Sequence, residues 1–237
     1  MILEKSPTII GKMFDRIAPR YDLINRVTSF GQDVRWRKKL IQFIPHGNSV
    51  CLLDLATGTG DVLITLLRAS SHETRGIGID LSEQMIFLGK VKLTNALLDD
   101  RATMQVGDAT AIPLLDASVD LVTMAFGIRN VNDVPKVLSE IHRVLKPGGS
   151  VVILEFSLPQ NFLIRFFYLL YFRIVLPIVG GLLSGCYDAY RYLTHSVESF
   201  VYGEEFCKLL RDAAFEGVFF EPLCLGVATL YVGKKNG

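Results

Sequence analysis

A chain of 237 residues, half of them hydrophobic and about a fifth charged, is long enough to bury one sizeable core with additions to spare. Its net charge of +1 excludes the strongly basic surface expected of a nucleic-acid binder. The four cysteines, Cys51, Cys186, Cys207 and Cys224, lie far apart with no Cys-x-x-Cys, which argues against a disulfide framework or a zinc site and for reduced thiols in a cytosolic protein.

The first 46 residues carry no apolar core of secretory length, so no signal peptide is expected. Phe14, Ile17, Tyr21, Ile24 and Val27 recur at three- and four-residue steps, the apolar face of a helical extension that Pro19 interrupts. Trp36, Leu40 and Phe43 continue the pattern through the basic run Arg35 to Lys39, which reads first as a solvated helix face. Pro45-His46-Gly47-Asn48 is a turn.

The next stretch organises the chain. Val50 to Leu55 is an apolar strand, Ala56-Thr57-Gly58-Thr59-Gly60 a small-residue turn, and Asp61 to Ala69 a helix. Strand, glycine turn and helix together let backbone amides approach a nucleotide-like ligand. The G-x-G-x-x-G pattern of dinucleotide sites lacks its third glycine here, where Leu63 stands, and Asp61 puts negative charge where a pyrophosphate would sit. Both features disfavour NAD and suit a phosphate-free ligand with a positive centre, such as S-adenosylmethionine.

Further strands are expected over Gly76–Ile79, Thr103–Val106, Val119–Ala125 and Ser150–Phe156, with helices over Ser82–Leu98 and Val134–Leu145, the second closed by Lys146-Pro147-Gly148-Gly149. This alternation predicts an α/β doubly wound, mostly parallel sheet. Phe162 to Cys186 is very apolar, but Arg165, Arg173, Pro177, Gly180 and Gly181 interrupt it and argue against a membrane span. Two readings stay open: a buried helix plus loop, or a greasy face resting on a membrane with its arginines at headgroup level. A helix over Gly203–Ala214 and strands over Val218–Glu221 and Ala228–Val232 complete a single domain, the last pair adding an antiparallel strand to the sheet.

In such a sheet the ligand lies beyond the carboxyl ends of the strands. Asp80 ends the second strand, where a carboxylate can take both ribose hydroxyls. At the third strand's end, Asp108 can accept from an adenine amino group, and the Ala109 amide can donate to a ring nitrogen. With Gly58 and Gly60 these residues make an adenosine-shaped constellation.

The glycine turn, Asp80, Gly107-Asp108-Ala109 and Leu145 to Gly149 resemble class I S-adenosylmethionine-dependent methyltransferases. Phe14 to Asp22, Phe126 to Val131, Leu154 to Ser157 and Tyr190 to Leu193 with Ser196 resemble, more closely, the menaquinone/ubiquinone-biosynthesis C-methyltransferases, over almost the whole chain from about Met13 to Val232. The resemblance implies a seven-stranded Rossmann-like fold with S-adenosyl-L-methionine held at Thr59, Asp80, Asp108 and Ala109. The family's serine before Phe-Gly is Ala125 here, and the family often has asparagine where this chain has Asp108. It further implies C-methylation of a polyprenyl quinol, demethylmenaquinol or a benzoquinol precursor of ubiquinone, by an enzyme with peripheral membrane contact and room for a homodimer. On this reading 1–46 is a helical lid, 47–157 the cofactor-binding core, 158–200 a substrate- or membrane-facing insertion, and 201–237 a closing helix and hairpin.

A ring carbon is a weak nucleophile unless the ring is an electron-rich hydroquinol or its phenolate, so some group must share or remove a proton or stabilise the anion. Arg129 and Asn130 are the first candidates to hold quinol oxygens, since arginine stays cationic; a loop-bridging arginine is the alternative. Tyr21 and Asp22 could close over the cofactor. His195, beside Tyr192, is the histidine to test first as base, with a structural role as the alternative. His142 reads as a surface residue. No metal cluster, cysteine pair or Ser/His/Asp set is visible, so neither a metal nor a covalent intermediate is expected.

Overall fold

The computed structural model describes residues 6–47 and 49–237; Asn48 of the expected turn lies outside them. Three short helices come first: α1 (Pro7–Ile17), α2 (Tyr21–Thr28) and α3 (Gln32–Lys39). Ser6 caps α1, its hydroxyl accepting from the Ile9 amide, and Pro7 supplies a first-turn residue with no amide to satisfy. Pro19 sits in a 3₁₀ turn, Ala18–Arg20, that separates α1 from α2. Then follow β1 (Cys51–Leu55), α4 (Asp61–Ala69), β2 (Arg75–Asp80), α5 (Glu83–Asn95), β3 (Ala102–Val106), β4 (Val119–Ala125), α6 (Val134–Val144) and β5 (Leu145–Phe156). The apolar segment forms α7 (Phe162–Leu170) and α8 (Leu176–Ser184), joined through one π-helical turn, and α9 (Tyr187–Ser199) returns against α8. The chain closes with α10 (Glu204–Asp212), β6 (Phe215–Leu223) and β7 (Ala228–Lys235).

The strands form one seven-stranded sheet in the order β3-β2-β1-β4-β5-β7-β6. β1 to β5 pair in parallel, and β7 runs antiparallel to both β5 and β6. The doubly wound sheet with its antiparallel C-terminal strand is therefore present, and the hairpin strands are longer than the sequence pattern predicted. One boundary differs more substantially. Lys146 to Gly149 ends α6 as expected but lies inside β5, and a register shift between Val119 and Leu121 absorbs the extra residues.

Helices cover both faces of the sheet, so its central strands read as continuous apolar runs. Leu52, Leu53 and Leu55 of β1 are at most 1% exposed, each burial contributing about 1.5–3 kcal/mol. A third apolar cluster lies off the sheet, where Ile17, Ala18 and Ile24 pack with Phe172, Leu176 and Tyr190. This cluster holds the N-terminal helices against α8 and α9 above the carboxyl ends of the strands. The outer side of α7 is different: Phe162, Leu163, Phe166, Phe167 and Leu170 are all exposed, and α7 buries no residue. By length and composition alone, Phe162–Ser184 could cross a membrane, with only 22% of its most apolar window buried in the fold.

Candidate active site

β1 and β4 are neighbours, but β1 continues to β2 on one side and β4 to β5 on the other. The loops part at this switch and leave a crevice. A cavity of about 400 Å³ opens there. Gly58 and Gly60 both take positive φ, 56° and 80°, which lets the turn curl without a Cβ penalty. The Gly58 amide donates to Asp80 Oδ2 at 2.8 Å, and the Ser82 amide donates to Asp80 Oδ1 at 2.9 Å. Ser82 caps α5, so Asp80 is left to face the cavity. Burial pushes the Asp80 carboxyl up, against the pull of those amides. Across the crevice, Ala56 and Phe126 are both non-glycine residues in the left-handed region, at φ 48° and 58°, a strain that clusters at functional sites. A Cβ on Gly127 would lie 2.4 Å from the Ala56 Cβ, so the two strand ends meet only because Gly127 has none.

Of the expected cofactor residues, Gly58, Asp80, Asp108 and Ala109 line this cavity, as does Ala125. Asp108 Oδ1 accepts from the Thr110 amide at 2.8 Å, which fixes the carboxylate at the end of β3. Thr59 and Gly60 do not line the cavity. The Thr59 hydroxyl donates to Asp22 Oδ1 at 2.7 Å and accepts from Lys92 Nζ at 2.9 Å, so its side chain turns toward α2 and α5. Gly60 starts α4 and packs on Met104. Asp61 is not an open negative charge either. It pairs with Lys92 and, at 2.8 Å, with Arg37, which removes the electrostatic half of the argument against a pyrophosphate and leaves the missing glycine. Arg37 is buried, in contrast to the solvated face expected of the basic run; Arg35, Lys38 and Lys39 do face solvent.

A second cavity, about 310 Å³, adjoins the first and shares Phe14, Tyr21 and Phe126 with it. Its walls are aromatic. Trp36, Phe126, Phe156, Phe172 and Tyr168 form a chain of ring contacts with centroids 4.5–5.9 Å apart. Tyr21 thus stands at the junction, and burial raises its phenol pKa, which keeps it a proton donor at neutral pH. Arg129 lines the aromatic cavity and Asn130 the strand-end cavity, so the two candidates divide between the two spaces. Arg129 is 5% exposed, its Nη1 donates to Glu155 Oε1 at 2.8 Å and to the Phe126 carbonyl, and its guanidinium lies 5.4 Å from the centre of the Phe156 ring. These contacts match the loop-bridging reading, and the side chain also lines the aromatic cavity, as the quinol-holding reading requires.

His195 is not brought to the site. It is exposed on α9, whereas Tyr192, three residues earlier, is buried and lines the aromatic cavity. The structure gives the role of base to no histidine at this position. His142 is packed edge-on against Phe215, 5.2 Å between ring centres, and is not a free surface residue.

Sequence reasoning gave no role to Glu155 or Lys92. A lone carboxylate inside the apolar run Ser150–Phe156 was the available signal for Glu155. Lys92 carried no comparable mark, since one lysine on a helix face is ordinary. Deep in the sheet, Asp54 is 1% exposed and accepts from the Thr57 and Thr123 hydroxyls, each at 2.6 Å; burial pushes its carboxyl up to about 6.

The chain matches the profile of the ubiE/COQ5 methyltransferase family over residues 2–235. It is 45% identical over 227 residues to the ubiquinone/menaquinone biosynthesis C-methyltransferase UbiE of Geobacter sulfurreducens, covering 96% of this chain and 88% of that one. It is 42% identical over 223 residues to the demethylmenaquinone methyltransferase of Thermus thermophilus, covering 94% of this chain and all of the other. Among solved structures, the complex of the Haloferax volcanii Trm112 methyltransferase activator with a putative methyltransferase aligns with TM-score 0.68 at 19% identity, over 94% and 98% of the two chains. Phosphoethanolamine N-methyltransferase 2 of Haemonchus contortus, in complex with S-adenosyl-L-methionine, aligns with TM-score 0.65 at 16% identity, over 86% and 52%. These likenesses are of fold. With a switch-point crevice, a glycine turn tied to a strand-end carboxylate and a family match from end to end, the chain belongs to the ubiE/COQ5 methyltransferase family.

Proposed function

We propose that this methyltransferase methylates a ring carbon of a polyprenylated quinol, with demethylmenaquinol as first substrate and the 2-methoxy-6-polyprenyl-benzoquinol precursor of ubiquinone as the alternative. S-adenosyl-L-methionine is the cofactor and supplies an electrophilic methyl on a sulfonium. The observation that carries the reading is the meeting of two cavities of unlike chemistry at Phe14, Tyr21 and Phe126. The strand-end cavity offers carboxylates and backbone amides to an adenosine: Asp80 for the ribose, Asp108 and the Ala109 amide for the ring, Gly58 for close approach. Asn130, whose Oδ1 is buried without a hydrogen-bond partner among the described residues, adds an acceptor to the same side. The aromatic cavity takes a flat, apolar ring. Holding the two reactants across one junction can itself supply a large part of the acceleration. The ring carbon gains the methyl as the methyl–sulfur bond breaks, and its hydrogen leaves as a proton; Arg129 and Tyr21 are the groups here that favour the electron-rich ring oxygen.

On the same reading, residues 6–46 form a lid over both cavities and 158–200 an acceptor-facing insertion within a single domain. The exposed face of α7, carrying Phe162, Phe166, Phe167 and Leu170 and flanked by Arg165 and Arg173, rests on the inner face of the cytoplasmic membrane and admits the prenyl tail. Tyr168 and Tyr171, on the other side of the same helical stretch, line the aromatic cavity, so one segment joins membrane and site. The test is liposome co-sedimentation and turnover of a long-chain quinol by Phe167→Asp combined with Leu170→Asp. Both should fall by about 100-fold, since each substitution forfeits more than 1.4 kcal/mol of interfacial burial, with a short-tailed quinol still methylated. Unchanged association and turnover would end the membrane reading.

A further inference from the structure

The aromatic cavity contains two polar atoms that the fold leaves unused. Tyr168 and Tyr192 both line it, and the hydroxyl of each is buried with no hydrogen-bond partner among the described residues. Tyr192 is 6% exposed. A hydroxyl taken out of water without a partner destabilises the free protein by roughly 1–3 kcal/mol, and such groups are few in folded proteins. The two tyrosines come from different helices, α7 and α9, and line one space. Other buried hydroxyls nearby are satisfied: Thr194 donates to the Phe172 carbonyl at 2.8 Å, and Tyr171 donates to the Thr28 carbonyl at 2.8 Å. The unsatisfied state of Tyr168 and Tyr192 is therefore local and not a general looseness of the insertion.

Their surroundings say what they would bind. Arg129, whose guanidinium pairs with Glu155, lines the same cavity as both tyrosines. The ring of Tyr168 lies against Phe172, 4.8 Å between centres, and Phe172 lies against Phe156 under the Arg129 guanidinium. A ligand that satisfies two hydroxyls of one aromatic-walled cavity is a flat ring bearing two oxygens. Burial raises both phenol pKa values, so at neutral pH each keeps its proton and can donate.

We propose that Tyr168 and Tyr192 hold the two oxygens of a dihydroxy-aromatic acceptor, fixing which ring carbon faces the junction at Tyr21. This rests on the quinol reading above and adds its polar contacts: Tyr21 and Arg129 serve the oxygen next to the methylated carbon, and the tyrosine pair sets the ring's register.

Free protein and complex should respond in opposite directions. Tyr168→Phe and Tyr192→Phe each remove a hydroxyl that has no partner, so the melting temperature without ligand should hold or rise by about 2–4 °C. Each should raise KM for reduced demethylmenaquinone about tenfold and the double variant about 100-fold, with KM for S-adenosylmethionine unchanged. A lower melting temperature with an unchanged quinol KM would overturn the proposal and make the hydroxyls structural. Trp36, the single tryptophan, lines the same cavity and reports binding without turnover. If the wild type methylates no quinol, the function above fails, and quenching of Trp36 by a 1,4-naphthohydroquinone still decides this inference. Binding at least tenfold weaker in the double variant supports it, and equal binding overturns it.

Discussion

The strand-end cavity is built on the ends of β1 to β4, with Asp80 and Asp108 each fixed by backbone amides; the aromatic cavity is walled mostly by side chains from helices, joined by Phe126 after β4 and Phe156 at the end of β5. Asp80 is held by the amides of Gly58 and Ser82. Trp36, Phe156, Phe172 and Tyr192 meet only because α3, β5 and the α7–α9 insertion pack together. A site made of strand ends is rigid and adapted to one ligand, whereas a site made of helix faces can change its acceptor without disturbing the sheet. A buried polar tie near both is the Arg129–Glu155 pair, since Arg129 follows β4 and Glu155 lies near the end of β5.

That tie is where the contrast breaks most visibly. Arg129→Leu leaves Glu155 buried and uncompensated and should cost about 3–5 kcal/mol in urea denaturation. Arg129→Leu with Glu155→Gln, which removes the buried charge and keeps an acceptor for one of the two backbone amides at positions 129 and 156, should recover part of that stability while quinol turnover stays low. Recovery of both would mean the arginine only bridges loops.

A second test confines itself to the rigid side. The Asp54 carboxyl is raised to about 6 from 3.8, chiefly by burial. Its contribution is fully present below pH 4 and is lost as pH rises through 6, because the unfolded state ionises first. Relative to Asp54→Asn, which does not titrate, the wild type should lose about 3 kcal/mol of stability between pH 4 and pH 8. Parallel pH profiles for the two proteins would remove Asp54 from this role.

The contacts of α2 with the glycine turn give the smallest effect. Lys92 joins Asp22 of α2, Thr59 of the glycine turn and Asp61 of α4. All the charged partners are partly exposed, so Lys92→Met should cost only about 1 kcal/mol. The difference should shrink in high salt as the wild type weakens. A salt-independent loss would indicate packing of the lysine stem instead.

The two regions also differed in how far they could be read from sequence. β1, the glycine turn, Asp80 and Asp108 are each a strand end followed by a turn residue, so pattern and spacing locate them. The direction of a side chain out of such a turn was not legible: Thr59 belongs to the lid contact, and Asp61 is neutralised by residues 24 and 31 positions away. The aromatic cavity had no comparable signature. Tyr168 and Tyr192 sit in helices whose apolar residues serve core and surface alike, and only tertiary packing separates buried Tyr192 from exposed His195 on the same helix. The Phe162–Ser184 stretch was legible as apolar but not as two-sided, because its π-helical turn shifts which residues face inward.

The central claim is that a methyl donor in the strand-end cavity meets a quinol in the aromatic one. Transfer of a labelled methyl from S-adenosylmethionine to reduced demethylmenaquinone, compared between the wild type and Asp80→Ala, tests it most directly. The wild type should form labelled menaquinol, and Asp80→Ala, lacking the carboxylate that ties the glycine turn and lines the strand-end cavity, should lose about 100-fold in kcat/KM, as expected for removal of a charged hydrogen-bonding partner. No transfer by the wild type, or equal transfer by both proteins, would contradict the account.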